Sequence, residues 1–253
     1  MKVYELLYEG RKNIKEIVVK RMPNFKEENM VGSGAEAEVF KAGANSVIKV
    51  IDFYKEDNDP TVHYIDEVMN NQDNPYFPKI YGAKAYMLNK DKGQYFQGKL
   101  VIHMEKLTSF NNPKTSHMLP RLLKQFGISE DDFDSSMGDN NAYLHTKRET
   151  DVERTPSSEN PDDEDGRYNM LDTFGKVLAD TFATGKGRQK LMKQATNPEL
   201  KRAIQITDQI INRLANDPER PASGDLHQSN IMIRLTPHGP QLVIVDPVIG
   251  FWQ

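Results

Sequence analysis

Residues 223–246 constrain this chain more than any other stretch. Ser223-Gly224-Asp225-Leu226-His227-Gln228-Ser229-Asn230 leads into the apolar run Ile231–Leu235. A turn at Pro237-His238-Gly239-Pro240 follows, then Gln241–Val245, and then Asp246. The composition of the two runs predicts short strands flanking the motif. A carboxylate therefore precedes an amide by five residues, and a second carboxylate closes the following strand. Turn chemistry alone explains that set poorly, although an Asx-rich loop is the structural alternative.

The 253 residues suffice for one two-lobed domain or two small ones. Charged residues make up 28% of the chain and the net charge is -4. General nucleic-acid binding favours a clustered excess of Lys and Arg, so no direct nucleic-acid partner is expected. No apolar run approaches the ~20 residues that span a bilayer, and the start Met-Lys-Val-Tyr-Glu has no apolar signal core. Cysteine is absent, which excludes disulfides, thiolate zinc sites and a cysteine nucleophile. A cytoplasmic protein with no membrane partner is the expectation.

Along the chain, Ile14, Ile17 and Val18 have helical spacing and predict a short N-terminal helix. Residues 28–51 read as strand, glycine turn, strand, turn and strand. Asp59-Pro60 reads as a helix start, with Val62, Ile65 and Met69 as its apolar stripe. Strands are expected over 79–87 and 95–105. Residues 130–166 read as a mobile acidic insertion: from Glu149 to Asp165 there are eight acidic residues and one basic one, too little apolar surface to offset ordering. Helices resume over about 168–195. Asn197-Pro198-Glu199 opens another, with Leu200, Ala203, Ile204, Ile210, Ile211 and Leu214 on one face.

Several residues have chemistry in common. Gly32-Ser33-Gly34-Ala35-Glu36-Ala37-Glu38-Val39 lies between two expected strands, where glycines let backbone N–H groups approach phosphate oxygens. A plain hairpin is the alternative. Lys49 sits mid-strand on the face of Val47 and Ile51, a position suited to a cleft. Glu67 on the following helix is its expected anionic partner, with Asp66 as rival. Met104, Glu105 and Leu107 end a strand and enter a connector. Asp225 is the candidate to orient and deprotonate an acceptor hydroxyl. Asn230 and Asp246 are candidate Mg²⁺ ligands, being hard oxygen donors. His227 reads as structural. Together these groups suit phosphoryl transfer from Mg-ATP.

The same residues resemble the protein-kinase-like superfamily. Gly32-x-Gly34-x-x-Ala37-x-Val39 is similar to its glycine loop, Val47-Ile48-Lys49 to its strand lysine and Glu67 to the helix glutamate. Asp225 to Asn230 is similar to the catalytic loop, and Asp246 to the metal-binding aspartate. Gly224-Asp225-Leu226-His227-Gln228-Ser229-Asn230-Ile231-Met232 with Val245-Asp246-Pro247-Val248 is closest to the serine/threonine kinases of T7-like bacteriophages. The resemblance implies an α+β, bilobal fold. A β-rich N-lobe would span 1–107 and a reduced, mainly helical C-lobe 108–253. It implies Met104 bordering an adenine pocket, with the backbones of Glu105 and Leu107 contacting the base. ATP and Mg²⁺ are the implied cofactors. Host proteins in the bacterial cytoplasm, including transcription or RNA-processing machinery, are the implied partners. Ala37 replaces the third glycine, Gly224 stands where many kinases carry arginine, and the chain ends soon after Asp246, so acceptor binding is expected on 115–215 or the acidic stretch. Gly-Asp-Leu-His with Gln-Ser-Asn is also similar to small-molecule kinases of the aminoglycoside and choline type. A kinase-fold protein that binds and inhibits a host factor without catalysis is the third reading.

Overall fold

The computed structural model describes residues 17–18, 23–33, 37–54, 60–87, 97–110, 112–133, 167–216, 222–224, 230–245 and 248–250. The chain is α+β. Its first half is a six-stranded sheet: β1 (Ile17–Val18), β2 (Met30–Ser33), β3 (Ala37–Lys41), β4 (Ser46–Tyr54), β5 (Ile80–Met87) and β6 (Gln97–Glu105), in spatial order β1-β5-β6-β4-β3-β2. All neighbours are antiparallel except β1, which lies parallel to β5. Ile17 and Val18 are therefore strand, not the expected helix. Two β-branched residues extend a sheet edge more readily than they hold a lone helical turn.

The alternation of β-branched residues sorts the sheet into two faces. Val47 and Ile51 belong to the main core with Leu100, Ile102, Met104, Ala83 and Ala85. Phe40, stacked on Phe25 at 5.1 Å, and Val50 are buried on the other face. Helix α1 (Pro60–Asn70) connects β4 to β5 and adds its buried side chains to the same main core. Val62, Tyr64, Ile65 and Val68 are each at most 4 % exposed. Each such burial contributes roughly 1.5–3 kcal/mol, which outweighs the weak helix propensity of the β-branched members.

After β6 the chain turns helical: α2 (Leu119–Lys124), α3 (Arg167–Ala183), α4 (Gly185–Gln194) and α5 (Pro198–Ala215). The helices expected over about 168–195 are two, parted at Thr184. That hydroxyl accepts the Gly187 N–H at 3.0 Å and starts α4 as an N-cap. The opening of α5 is as read, with Asn197 Oδ1 accepting the Glu199 N–H at 2.8 Å. Its buried face carries Leu200, Ala203, Ile204, Ile210 and Ile211. Phe133 is buried against Phe174, so the acidic stretch begins inside the core. Residues 134–166, and the mobility expected of them, lie outside the described residues.

The C-terminal part returns to strand. β8 (Ile231–Thr236) and β9 (Gly239–Ile244) form a hairpin, and β7 (Ala222–Gly224) pairs with β10 (Val248–Gly250). Gly239 turns the hairpin at φ 117°, a conformation that side chains resist. One continuous apolar core joins sheet, helices and hairpin. Among the described residues no helix is long and apolar enough to cross a membrane.

Candidate active site

Lys49 stands where alternation puts it. Register aligns Val39, Lys49, Ile102 and Ala83 in one row across four strands. Ile102 is fully buried, and Lys49 is partly buried in the same face. The next row aligns Val47 with Met104, which is 5 % exposed. Gly32 and Ser33, exposed on β2, oppose Val39 and Glu38. A Cβ on Gly32 would meet nothing nearer than Val39 Cβ at 4.0 Å, so packing does not require glycine there. Gly34 lies outside the described residues.

Asp225 and Asp246 also lie outside the described residues, but the backbone on either side of each is held. Gly224 pairs with Val248, and the Val245 N–H donates to Asn230 O at 2.8 Å. The two segments are thus tied at both ends. Asn230 is 8 % exposed, a buried amide at the start of β8. Helix α1 meets the same place. Its Tyr64 hydroxyl donates to Ile244 O at 2.7 Å, and the helix packs on β10. The helix that shares the main core with the sheet therefore also grips the chain before and after Asp246. Among the described residues no three His, Asp or Glu side chains gather to hold a metal.

The two acids of α1 diverge. Asp66 is 7 % exposed and shares the buried side of the helix with Val62 and Ile65. Glu67, one residue further round, is partly exposed, and the Arg213 Nη1 of α5 lies 3.5 Å from its Oε1. Among the described residues the ion pair of Glu67 is with Arg213, not with Lys49.

The connector after β6 is held tightly. The Glu105 N–H donates to Lys79 O at 3.0 Å, that of Lys106 to Asn45 O at 2.9 Å and that of Thr108 to Ile233 O at 2.9 Å. Of the N–H groups from 105 to 108, that of Leu107 is the one with no bond to another described residue. The backbone contact expected of Glu105 narrows to its carbonyl.

Sequence reasoning passed over Arg234. Its guanidinium takes both oxygens of the Glu105 carboxylate, and Glu105 is 8 % exposed. A lone arginine in the apolar run Ile231-Met232-Ile233-Arg234-Leu235 was the available signal. Arg188 was passed over too. It is 3 % exposed and donates to Asp208 at 2.5 Å, joining α4 to α5. No protein-family model and no curated protein matches this chain.

Proposed function

We propose that the chain is an ATP-dependent phosphotransferase with a bilobal, protein-kinase-like fold, acting on serine and threonine hydroxyls of proteins in the manner of the phage kinases it resembles. The observation that carries this reading is the double tie between Gly224 and Val248 and between Asn230 and Val245. It supports bringing Asp225, Asn230 and Asp246 together from separate parts of the sequence. Helix α1 links that place to the sheet face that holds Lys49.

Other features agree. In kinases the phosphate-binding lysine lies on the third strand and the helix bearing its glutamate follows. Counted from β2, the strand that leads into the glycine turn, β4 is the third strand and α1 follows it. Gly32 has no packing reason to be glycine, and a phosphate lying on its backbone would supply one. The Leu107 N–H suits an acceptor nitrogen of adenine.

In this reading Lys49 neutralises phosphate charge in a site walled by Val39, Val47 and Met104. Asp225 orients the acceptor hydroxyl and takes its proton. Asn230 and Asp246 would hold Mg²⁺, which would supply positive charge to offset that developing on the phosphate. Asp66 and Glu67 both lie on α1, and Asp66 is the more buried of the two.

The test is transfer of labelled γ-phosphate from ATP to a bacterial lysate, with small alcohols and aminoglycosides as parallel acceptors. Wild type is expected to label proteins. Asp225→Asn is expected to lose about 10²–10⁴ in rate while still binding nucleotide. Label on the small acceptors alone would make this a small-molecule kinase. No ATP binding at all would defeat the proposal.

A further inference from the structure

We infer that Arg234, acting through Glu105, positions the Met104–Leu107 connector and thereby sets which purine the site accepts. The inference rests on the nucleotide reading above. Arg234 Nε donates to Glu105 Oε2 at 2.8 Å and its Nη2 to Glu105 Oε1, a bidentate fork. Nη2 also donates to Phe77 O at 2.8 Å, and Nη1 to Gln241 Oε1 at 2.9 Å and to Pro75 O. A guanidinium carries five N–H groups, and here each meets an acceptor. Glu105 Oε1 in turn accepts the Lys79 N–H at 2.7 Å. One side chain of β8 therefore fixes the end of β6, the loop after α1 and the neighbouring strand β9.

The consequence falls on Leu107. Glu105 is clamped to Lys79 through both its N–H and its carboxylate. Thr108 is clamped to Ile233 by reciprocal bonds of 2.9 and 2.7 Å. Ile233 is the residue beside Arg234, so β8 holds the connector on both sides of Leu107. The direction of the Leu107 N–H and of the Glu105 carbonyl follows from that grip. Adenine presents an acceptor beside an amino donor on its pairing edge; guanine presents a donor beside a carbonyl. A rigid donor and acceptor accept the first and reject the second, because a mismatch leaves buried polar groups unpaired. A loosened connector would adapt to both. Arg234 is thus a positioning residue that acts through Glu105, with no contact of its own to the reacting atoms.

The experiment uses the full chain as wild type, as Arg234→Lys and as the double variant Glu105→Met/Arg234→Met. Lysine keeps the charge but lacks the planar fork. The double variant removes both charges, so no buried ion is orphaned. Steady-state transfer is measured with ATP and GTP, and thermal shift with ATP, GTP and Mg-tripolyphosphate, below the melting range of each protein. In both variants KM for ATP is expected to rise about tenfold, the size of one lost hydrogen bond. The ATP-over-GTP preference is expected to fall about tenfold with kcat changed less than about twofold, because base contacts are uniform binding. Tripolyphosphate affinity is expected to stay the same. Folded variants with an unchanged ATP-over-GTP preference would overturn the inference, as would an equal loss for tripolyphosphate. A wild type that binds none of the three probes overturns the nucleotide reading itself.

Discussion

Asp208 shows at the scale of one residue how strongly a buried charge depends on its partner. Arg188 is 3 % exposed and donates both to Asp208 and to the carbonyls of Phe182 and Ala183. Asp208→Ala leaves that guanidinium buried without its anion, so a loss of about 3–5 kcal/mol is expected in denaturant unfolding. Tyr76 gives a prediction in pH. Burial pushes its phenol above the ordinary value of 10.0. A raised folded-state pKa adds stability below the unfolded value, and that stability is lost as pH rises through the folded value. The chain is therefore expected to weaken above about pH 10, where unfolded tyrosine ionises. Tyr76→Phe, which has no proton to lose, should flatten that limb of a melting-temperature profile. Lys49 was readable from alternation alone, because its neighbours Val47 and Ile51 fix the face. Arg234 was not, because its five acceptors come from three separate segments.

At the scale of elements, the junction of α3 and α4 is the sharpest case. A Cβ on Gly187 would lie 1.8 Å from Thr181 O, which is backbone and cannot move aside. Gly187→Ala is expected to cost about 3 kcal/mol, the upper end of overpacking, measured as a drop in denaturant midpoint at unchanged slope. The sequence reading expects helices across this stretch and places no boundary within it. Thr184 and Gly187 are compatible with either outcome locally. Arg188 suits the split: it donates to Phe182 O and Ala183 O, two carbonyls that the end of α3 leaves without an intrahelical partner. Helix α1 and the β8–β9 hairpin were legible, since Asp59-Pro60 and His238-Gly239-Pro240 punctuate them. β1 was not, because two residues of strand exist only through pairing with β5.

For the whole molecule, the proposed site joins the sheet to the C-terminal strands, so a ligand there should stabilise all of it. ATP with Mg²⁺ at about 100 times its Kd is expected to add ~2.7 kcal/mol, read as a rise in melting temperature. Omitting Mg²⁺ should shrink the rise, and Asp246→Asn should remove that dependence on the metal. An equal rise with and without Mg²⁺ in wild type would count against Asp246 as a ligand.

The order of elements, the inward face of Lys49 and the clustering of candidate groups around two short strands were set by the chain itself. Periodicity, turn residues and spacing are local properties, and each acts over a few neighbouring positions. Tertiary structure decided the rest: Arg213 rather than Lys49 beside Glu67, Asp66 on the buried side, the closed β7–β10 and Asn230–Val245 ties, and the guanidinium of Arg234 under the connector. Those choices depend on which distant segment arrives to satisfy a buried donor or charge, and no local pattern carries that information.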